Sequence, residues 1–327
     1  MMRKLRPLAA MGLAVLAGWT MTTAAQAQAW PERAITLVVP FAPGASADAL
    51  ARLLATQLSQ SLGKPVVVEN RPGAGGATGL IAVAKSAPDG YTLGMGATGA
   101  LTINPHIPNS PPLEPLSQLT PVAKVADIPL VMVASQRSGL TQLRQVIQAA
   151  GVRPDALSWG STGNNTAQHL SGELFSQMAR VRMVHVPYRG SAPAVTDLLA
   201  GTTPLAVVDL TSAQAHIKSG GLVGLAVTSP TRSVAAPDIP TVAESGLPGY
   251  AATAWMGLFA PAGLPAAVTT RLTREVQAML ARPEVAARAL ALGTEPAYLD
   301  DQAFRAFIAA ESQKWKRVIA TLPPEAK

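Results

Sequence analysis

Cysteine is absent from the 327 residues, which removes disulfide staples and any thiolate-held metal or cluster. Charged side chains make up only 14% of the chain and aromatics 4%. The basic residues are scattered, and only Lys314-Trp315-Lys316-Arg317 form a cluster, on what reads as the solvated face of a C-terminal amphipathic helix. A nucleic-acid surface needs a basic stripe interleaved with stacking rings, so nucleic acid is excluded as a partner. Histidine is scarce as well: His106, His169, His185 and His216 contain no pair at metal-ligand spacing such as His-x-x-x-His. There is no Gly-x-Ser-x-Gly elbow, and Gly160-Ser161-Thr162-Gly163 does not make one. His169, beside Leu170 and Leu174, reads as a core histidine. Without a nucleophile and a base to pair, an exported hydrolase is the weaker reading, and no cofactor or metal is expected. The glycine-rich run from Asn70 to Gly79 lacks the Gly-Lys-Ser/Thr ending of a nucleotide loop, and Gly73-x-Gly75-x-x-Thr78 misses the dinucleotide spacing. It reads as a turn that needs positive φ.

Long apolar runs are missing too, with one short exception at the start. Arg3, Lys4 and Arg6 precede the uncharged stretch Leu8 to Ala17, and small-x-small sites follow at Ala25-Gln26-Ala27 and Ala27-Gln28-Ala29. A spanning helix needs roughly 20 apolar residues, more than this stretch supplies. Residues 1–29 are therefore expected to be a cleaved signal peptide, with the mature chain exported and starting at Gln28 or Trp30. Removing the three leader cations leaves 23 basic against 19 acidic residues, a net charge of +4. The remaining chain of about 300 residues is long enough for two domains. Its 48% hydrophobic content suits a packed globule.

Strand and helix signals then alternate. Ile35 to Val39 is β-branched and stops at Pro40; Ala47 to Leu62 carries leucines at helical spacing and stops at Gly63. Val66 to Val68, a helix through Val83 to Lys85, and Tyr91 to Leu93 continue the pattern, which indicates βαβ units around a parallel sheet. The proline-rich passage Asn104 to Pro121 is expected to be an irregular surface excursion. Val122 to Val125 and Leu130 to Val133 read as one strand interrupted near Asp127 and Pro129, a place for the chain to cross between domains. The second half repeats the grammar: strands at Ser158-Trp159, Met183 to Val186, Leu205 to Val208 and Leu222 to Val227, with helices at Leu140 to Ala150, Ala167 to Met178 and Ala194 to Leu199. Trp255 to Phe259 can carry the chain back, and helices over Val268 to Leu280 and Gln302 to Leu322 close it. One internal echo joins Val38 to Gly44 and Val184 to Gly190, each a strand, a Pro-aromatic pair and a glycine before a helix. If the two units faced each other, they would aim two helix N-termini at one ligand.

A helix N-terminus has unpaired N–H groups and roughly +0.5 of an elementary charge, so it holds a carboxylate without help from arginine. Phe41 to Ser46, Ser161 to Thr166, and Arg189-Gly190-Ser191 each precede a helix. The second of these also fits simple N-capping by Asn165 or Thr166. Asp209, at the exit of an apolar strand, fits equally a ligand acceptor for a hydroxyl or amine and a helix cap. The Ser161 and Thr166 hydroxyls are expected to matter more to binding than Arg189, whose long side chain can reach solvent.

Ordered motifs over nearly the whole mature chain resemble the Bug-type extracytoplasmic solute receptors of tripartite tricarboxylate transporters. They include Trp30 to Arg33, Val38 to Gly44, Val66 to Gly76, Ala87 to Leu93, Gln168 to Phe175, His185 to Ala194, Leu225 to Ser229 and Asp238 to Tyr250. The resemblance implies an α/β, type II periplasmic-binding fold: residues 30–127 with 250–327 as one domain, 128–249 as the other, and a ligand cleft between them. It implies a monomeric periplasmic protein that captures a small carboxylate by two-domain closure and delivers it to the membrane permease subunits of such a transporter. The site residues it implies are Phe41, Ala42, Gly44, Ala45, Ser46 and Asp48 in the first loop, and Thr98. In the second half they are Ser161, Thr162, Gly163, Asn164, Asn165 and Thr166, then Tyr188, Gly190, Ser191 and Asp209. Pro43-Gly44-Ala45 stands where the family carries Pro-Gly-Gly, and Asn164-Asn165 replaces a smaller Gly-Ser-rich run; both departures imply a shifted ligand preference. A receptor that signals to a membrane sensor is the alternative use of the same closure.

Overall fold

A computed structural model describes residues 30–322 apart from Ala42, Gly44 and Ala45, so the leader sequence and its cleavage sites lie outside the described residues. In chain order the strands are β1 (Ile35–Val39), β2 (Val66–Asn70), β3 (Thr92–Ala97), β4 (Leu119–Ile128), β5 (Leu130–Ser135), β6 (Ser158–Ser161), β7 (Val184–Pro187), β8 (Leu205–Asp209), β9 (Leu222–Val227), β10 (Ala254–Pro261) and β11 (Glu295–Leu299). The helices are α1 (Ser46–Leu62), α2 (Ala77–Ala84), α3 (Pro115–Gln118), α4 (Leu143–Val152), α5 (Ala167–Ala179), α6 (Ser191–Ala200), α7 (Leu210–Lys218), α8 (Ala266–Leu280), α9 (Pro283–Ala291) and α10 (Asp301–Ala320).

The strands form two sheets, ordered β11-β4-β10-β3-β1-β2 and β7-β6-β8-β5-β9. Apart from the extra edge strand β11, the two orders are the same. In each, three parallel neighbours (β2-β1-β3 and β7-β6-β8) meet one antiparallel strand that has just arrived from the other lobe, β10 in the first sheet and β5 in the second. This is the order of a type II periplasmic-binding fold with two α/β lobes. The arriving strands are the most fully covered: every residue of β5 and of β10 is buried, as expected where helices cover both faces of a sheet.

Both crossings lie side by side. Proline cannot donate to a ladder, and Pro129 is where β4 of one sheet gives way to β5 of the other. The single interrupted strand expected here is thus two strands in different sheets. On the return path, the buried Thr228 donates its N–H to the Leu130 carbonyl at 3.0 Å and its hydroxyl to the Ala252 carbonyl at 2.6 Å. The Ala252 N–H comes back to the Thr228 carbonyl at 2.9 Å.

Three expectations need correction. The proline-rich passage is not a surface excursion: Ile107, Leu113 and Leu119 are buried in the core clusters, because the apolar residues between the prolines need cover. It holds a turn of 3-10 helix at Asn104–His106 and α3, and β4 begins at Leu119. The glycine-rich loop ends early, since α2 starts at Ala77 behind Gly75 and Gly76, which both take positive φ. The internal echo links strands in different places: β1 is inside its sheet, flanked by β2 and β3, whereas β7 is an edge strand. The partner of β1 by position is β6. The basic cluster is a solvated face at Lys316 and Arg317, which are exposed, while Trp315 is buried in the core and Lys314 pairs with Glu311 at 2.5 Å.

Candidate functional site

Between the two sheets, at the carboxyl ends of β1, β3, β6 and β8, lies a cavity of about 570 Å³. Open α/β sheets place ligands at such strand ends. Its floor is the crossing itself, with Ile128 at the end of β4 and Ala254 to Met256 at the start of β10. Phe41, Ala74, Gly75 and Gly99 form much of the first-lobe wall; Thr162, Asn164, Asn165, Thr166 and Gln168 form the second-lobe wall. Asp209 is the one ionisable side chain among the described residues of the lining, and no lysine, arginine or histidine lines it. The first turns of α1 and α5 reach the wall at Ala47 and Ala167, and Asp209 is the N-cap residue of α7. Three positive helix ends therefore meet at a cavity with no cation of its own.

Of the residues implied by the sequence, Phe41, Thr98, Thr162, Asn164, Asn165, Thr166 and Asp209 line the cavity together. Ala42, Gly44 and Ala45 lie outside the described residues, and Ser46 opens α1. Asp48 is buried behind the first turn. Its carboxylate accepts from Arg52 Nε and from Asn70 Nδ2, both at 2.9 Å, and Asn70 Nδ2 also donates to the Phe41 carbonyl at 3.0 Å. Asp48 therefore holds the turn rather than the wall. Thr98 does both: its Oγ1 accepts from the Trp255 N–H at 2.9 Å and donates to the Trp255 carbonyl at 3.4 Å, tying β3 to the returning strand.

The β7–α6 turn stands outside the cavity wall, which follows from its place at a sheet edge. Tyr188 donates its hydroxyl to Asp197 at 2.8 Å, shares a 2.5 Å contact with Thr203, and packs into the second lobe's apolar cluster. Gly190 supplies φ 119 ahead of α6, and Ser191 Oγ accepts from the Asp209 N–H at 3.3 Å. Arg189 is exposed.

The Ser161 to Thr166 loop is held mostly by its own side chains. Thr166 caps α5, accepting from the His169 N–H at 3.2 Å and donating to the Gly163 carbonyl at 2.8 Å. Ser161 is fully buried; its Oγ accepts from the Gly163 N–H at 3.2 Å and lies 2.7 Å from His185 Nε2. Neither hydroxyl is spare, so the expectation that they serve directly as donors to a ligand gives way to a supporting role. Asn165 takes φ 61, and its buried Oδ1 has no hydrogen-bond partner. Asp209 makes no side-chain cap; instead Gln168 Nε2 donates to its Oδ1 at 2.6 Å. Burial pushes the Asp209 carboxyl up, opposed by the hydrogen bonds from Gln168 and Ser191. His169 is a core histidine, with no exposed surface.

The sequence reading missed Gln168 and the Asn104 to Pro111 stretch, which closes one side of the cavity. A signal was present in the second: Pro108-Asn109-Ser110-Pro111 is polar as well as rigid, unlike the apolar residues flanking it. Among the described residues no cluster of histidine and acidic side chains could hold a metal, and no helix is long and apolar enough to cross a membrane.

Residues 50–323 match the family model described as the tripartite tricarboxylate transporter family receptor. Protein BugT of Bordetella pertussis (strain Tohama I) is 38% identical over 294 residues, which cover 90% of each chain. Two solved structures are similar throughout. The periplasmic binding protein BugD is 33% identical, with a TM-score of 0.76 over 89% of this chain and 98% of its own. An R. palustris protein solved with adipate is 34% identical, with a TM-score of 0.80 over 89% and 98%.

Proposed function

We propose, from the premise that this chain belongs to the tripartite tricarboxylate transporter receptor family, that it is exported, closes two lobes on a small carboxylate and hands it to the membrane subunits of such a transporter. The family consists of solute-binding receptors of the periplasm and not of enzymes, and this chain is read the same way, as a carrier that does not transform its cargo. The observation that carries the reading is a cavity between two lobes where three helix N-termini meet without a single cation. A carboxylate suits that field, and a wall without cations lets it leave again. The moving bodies are residues 30–127 with 250–327 and residues 128–249, hinged where Pro129 and Thr228 lie together. The lining residues Phe41, Thr98, Thr162, Asn164, Asn165, Thr166 and Asp209 hold the ligand, with Asp48, Ser161, Gly163, Tyr188, Gly190 and Ser191 bracing them.

Adipate, the ligand of the R. palustris neighbour, is the first probe to try, with other dicarboxylates beside it. A thermal-shift screen on ligand-stripped protein tests the proposal. At a concentration about 100 times its Kd, the right acid stabilises the fold by about 2.7 kcal/mol. That corresponds to roughly 5–10 °C in Tm for domains of this size. The acid must be recovered unchanged after incubation. If it is steadily converted, the chain is an enzyme and the receptor reading is wrong.

A further inference from the structure

Behind the polar wall is a stack of three rings, none of which lines the cavity. Trp159 on β6 and His185 on β7 are neighbours in register, their ring centroids 4.6 Å apart. His169 on α5 lies over His185, 4.1 Å between centroids and 20° from parallel. Trp159 fits against α5 only because residue 172 is glycine; a Cβ there would overlap the indole. Each histidine ends on the loop that faces the cavity. The Asn165 N–H donates to His169 Nδ1 at 3.1 Å, and His185 Nε2 meets Ser161 Oγ at 2.7 Å.

We propose that His169 and His185 are positioning residues for the polar wall: one fixes the Asn165 peptide, the other the Ser161 hydroxyl, and together they hold the loop's donors toward the cleft. This rests on the reading of that cavity as the ligand site. Asn165 shows why such a hold is needed. At φ 61 it occupies the left-handed region, which a residue with a Cβ keeps only when its surroundings impose it. The bond to His169 Nδ1 is the restraint on that residue's own amide. It requires an imidazole whose proton sits on Nε2, the nitrogen 3.7 Å from Glu173 Oε1, because a doubly protonated ring has no lone pair to accept with. Burial, and next the neighbouring His185, hold His169 down to about 3; burial alone holds His185 at about 4. Burial likewise raises Glu173 to about 7, so below that pH the ring faces a neutral acid. Ser161 then relays the second restraint to Gly163, whose N–H it accepts at 3.2 Å.

Asparagine puts a carbonyl where the histidine Nδ1 stands, and glutamine puts an amide where Nε2 stands, so four variants separate a hydrogen bond at a given atom from mere bulk. Hydrogen exchange of the Gly163 and Asn165 amides is measured without ligand, and adipate is titrated calorimetrically. His169→Asn and His185→Gln are expected to keep exchange and affinity within about threefold of the parent. His169→Gln and His185→Asn are expected to speed exchange and weaken adipate by tenfold or more, the scale of one lost buried hydrogen bond. Equal behaviour within each pair overturns the proposal. If exchange follows the crossed pattern while adipate fails to bind even the parent, positioning stands and the choice of ligand is what fails. Should the variants not fold, nitrogen-15 spectra of the parent's imidazoles decide: a proton on Nε2 of His169 supports the proposal, and a proton on Nδ1 overturns it.

Discussion

The two walls of the cavity are built on the same strand order and yet do different work. The first-lobe wall presents mainly small and apolar groups, Ala74, Gly75, Ala97 and Gly99 beside Phe41 and Ile107. The second-lobe wall presents Thr162, Asn164, Asn165, Thr166, Gln168 and Asp209, with Ala167 the one apolar residue among them, whereas the polar side chains of the first-lobe side are Thr98, Asn104, Asn109 and Ser110. Equal topology thus gives equal placement of helix ends, while side chains divide the labour: the first lobe sets the shape of the space, the second its hydrogen bonding. Burial explains part of the division. The polar wall stands on two neutral histidines and a tryptophan, whereas the turn behind Phe41 stands on the Asp48–Arg52–Asn70 group.

Four substitutions test that contrast, the severest first. A Cβ on Gly99 would sit 3.6 Å from the Asn165 carbonyl of the opposite lobe, so Gly99→Leu fills the gap the lobes must share. Affinity for the cognate acid is expected to fall more than about 100-fold, nearly 3 kcal/mol, with Tm little changed. Normal binding by this variant would remove shape selection from the first lobe. Asp209→Asn probes the chemistry of the second. Titration of a hydroxy- or amino-carboxylate is expected to lose about tenfold, one charge-assisted hydrogen bond, while a plain dicarboxylate loses nothing. Loss of both alike would make Asp209 a brace for Gln168 and not a ligand contact.

The third test is of stability and concerns the support beneath the polar wall. Glu173 is raised to about 7 by burial, so the folded protein binds a proton that the unfolded chain gives up near 4.5. Stability from this group is complete below 4.5 and is lost as pH rises through 7. Glu173→Gln should therefore raise Tm at pH 8 by roughly 2–6 °C and leave it unchanged at pH 4. The histidines work in the opposite sense: with folded values near 3 and 4, they cost stability as pH falls below 6.5. A melting profile without these two limbs contradicts the burial of the cluster. The smallest effect expected is that of Arg189→Ala, exposed at the edge of β7, at under about 1 kcal/mol or fivefold in a salt-dependent titration.

Much of the architecture was legible because it depends on local pattern. Apolar runs stopped by Pro40 and Gly63 mark element ends wherever tertiary context does not intervene. The crossing at Pro129 was visible for the same reason. Less legible were elements whose identity depends on what lies across from them. Leu210–Lys218 and Pro283–Ala291 are only nine residues each, and β11 is a half-buried edge strand that exists only through pairing with β4. The cavity was half legible. Loops rich in Ser, Thr and Asn announced the polar wall, yet sequence could not say that Ser161 turns inward to a histidine 24 residues away while Thr162 faces the cleft. Nor could it separate an inner strand from an edge strand, which is why the Pro-aromatic echo set Tyr188 opposite Phe41, though Tyr188 is committed to Asp197.

The central claim is capture of a carboxylate by closure over uncharged donors, and small-angle scattering recorded through a titration tests it most directly. Adipate, or the acid that replaces it in the thermal screen, is added alongside its diamide, which has the same length and no charge. The account requires the acid to shrink the radius of gyration saturably at one equivalent and the diamide to leave it unchanged. A tight acid that leaves the radius unchanged, or a diamide that closes the lobes equally well, contradicts it.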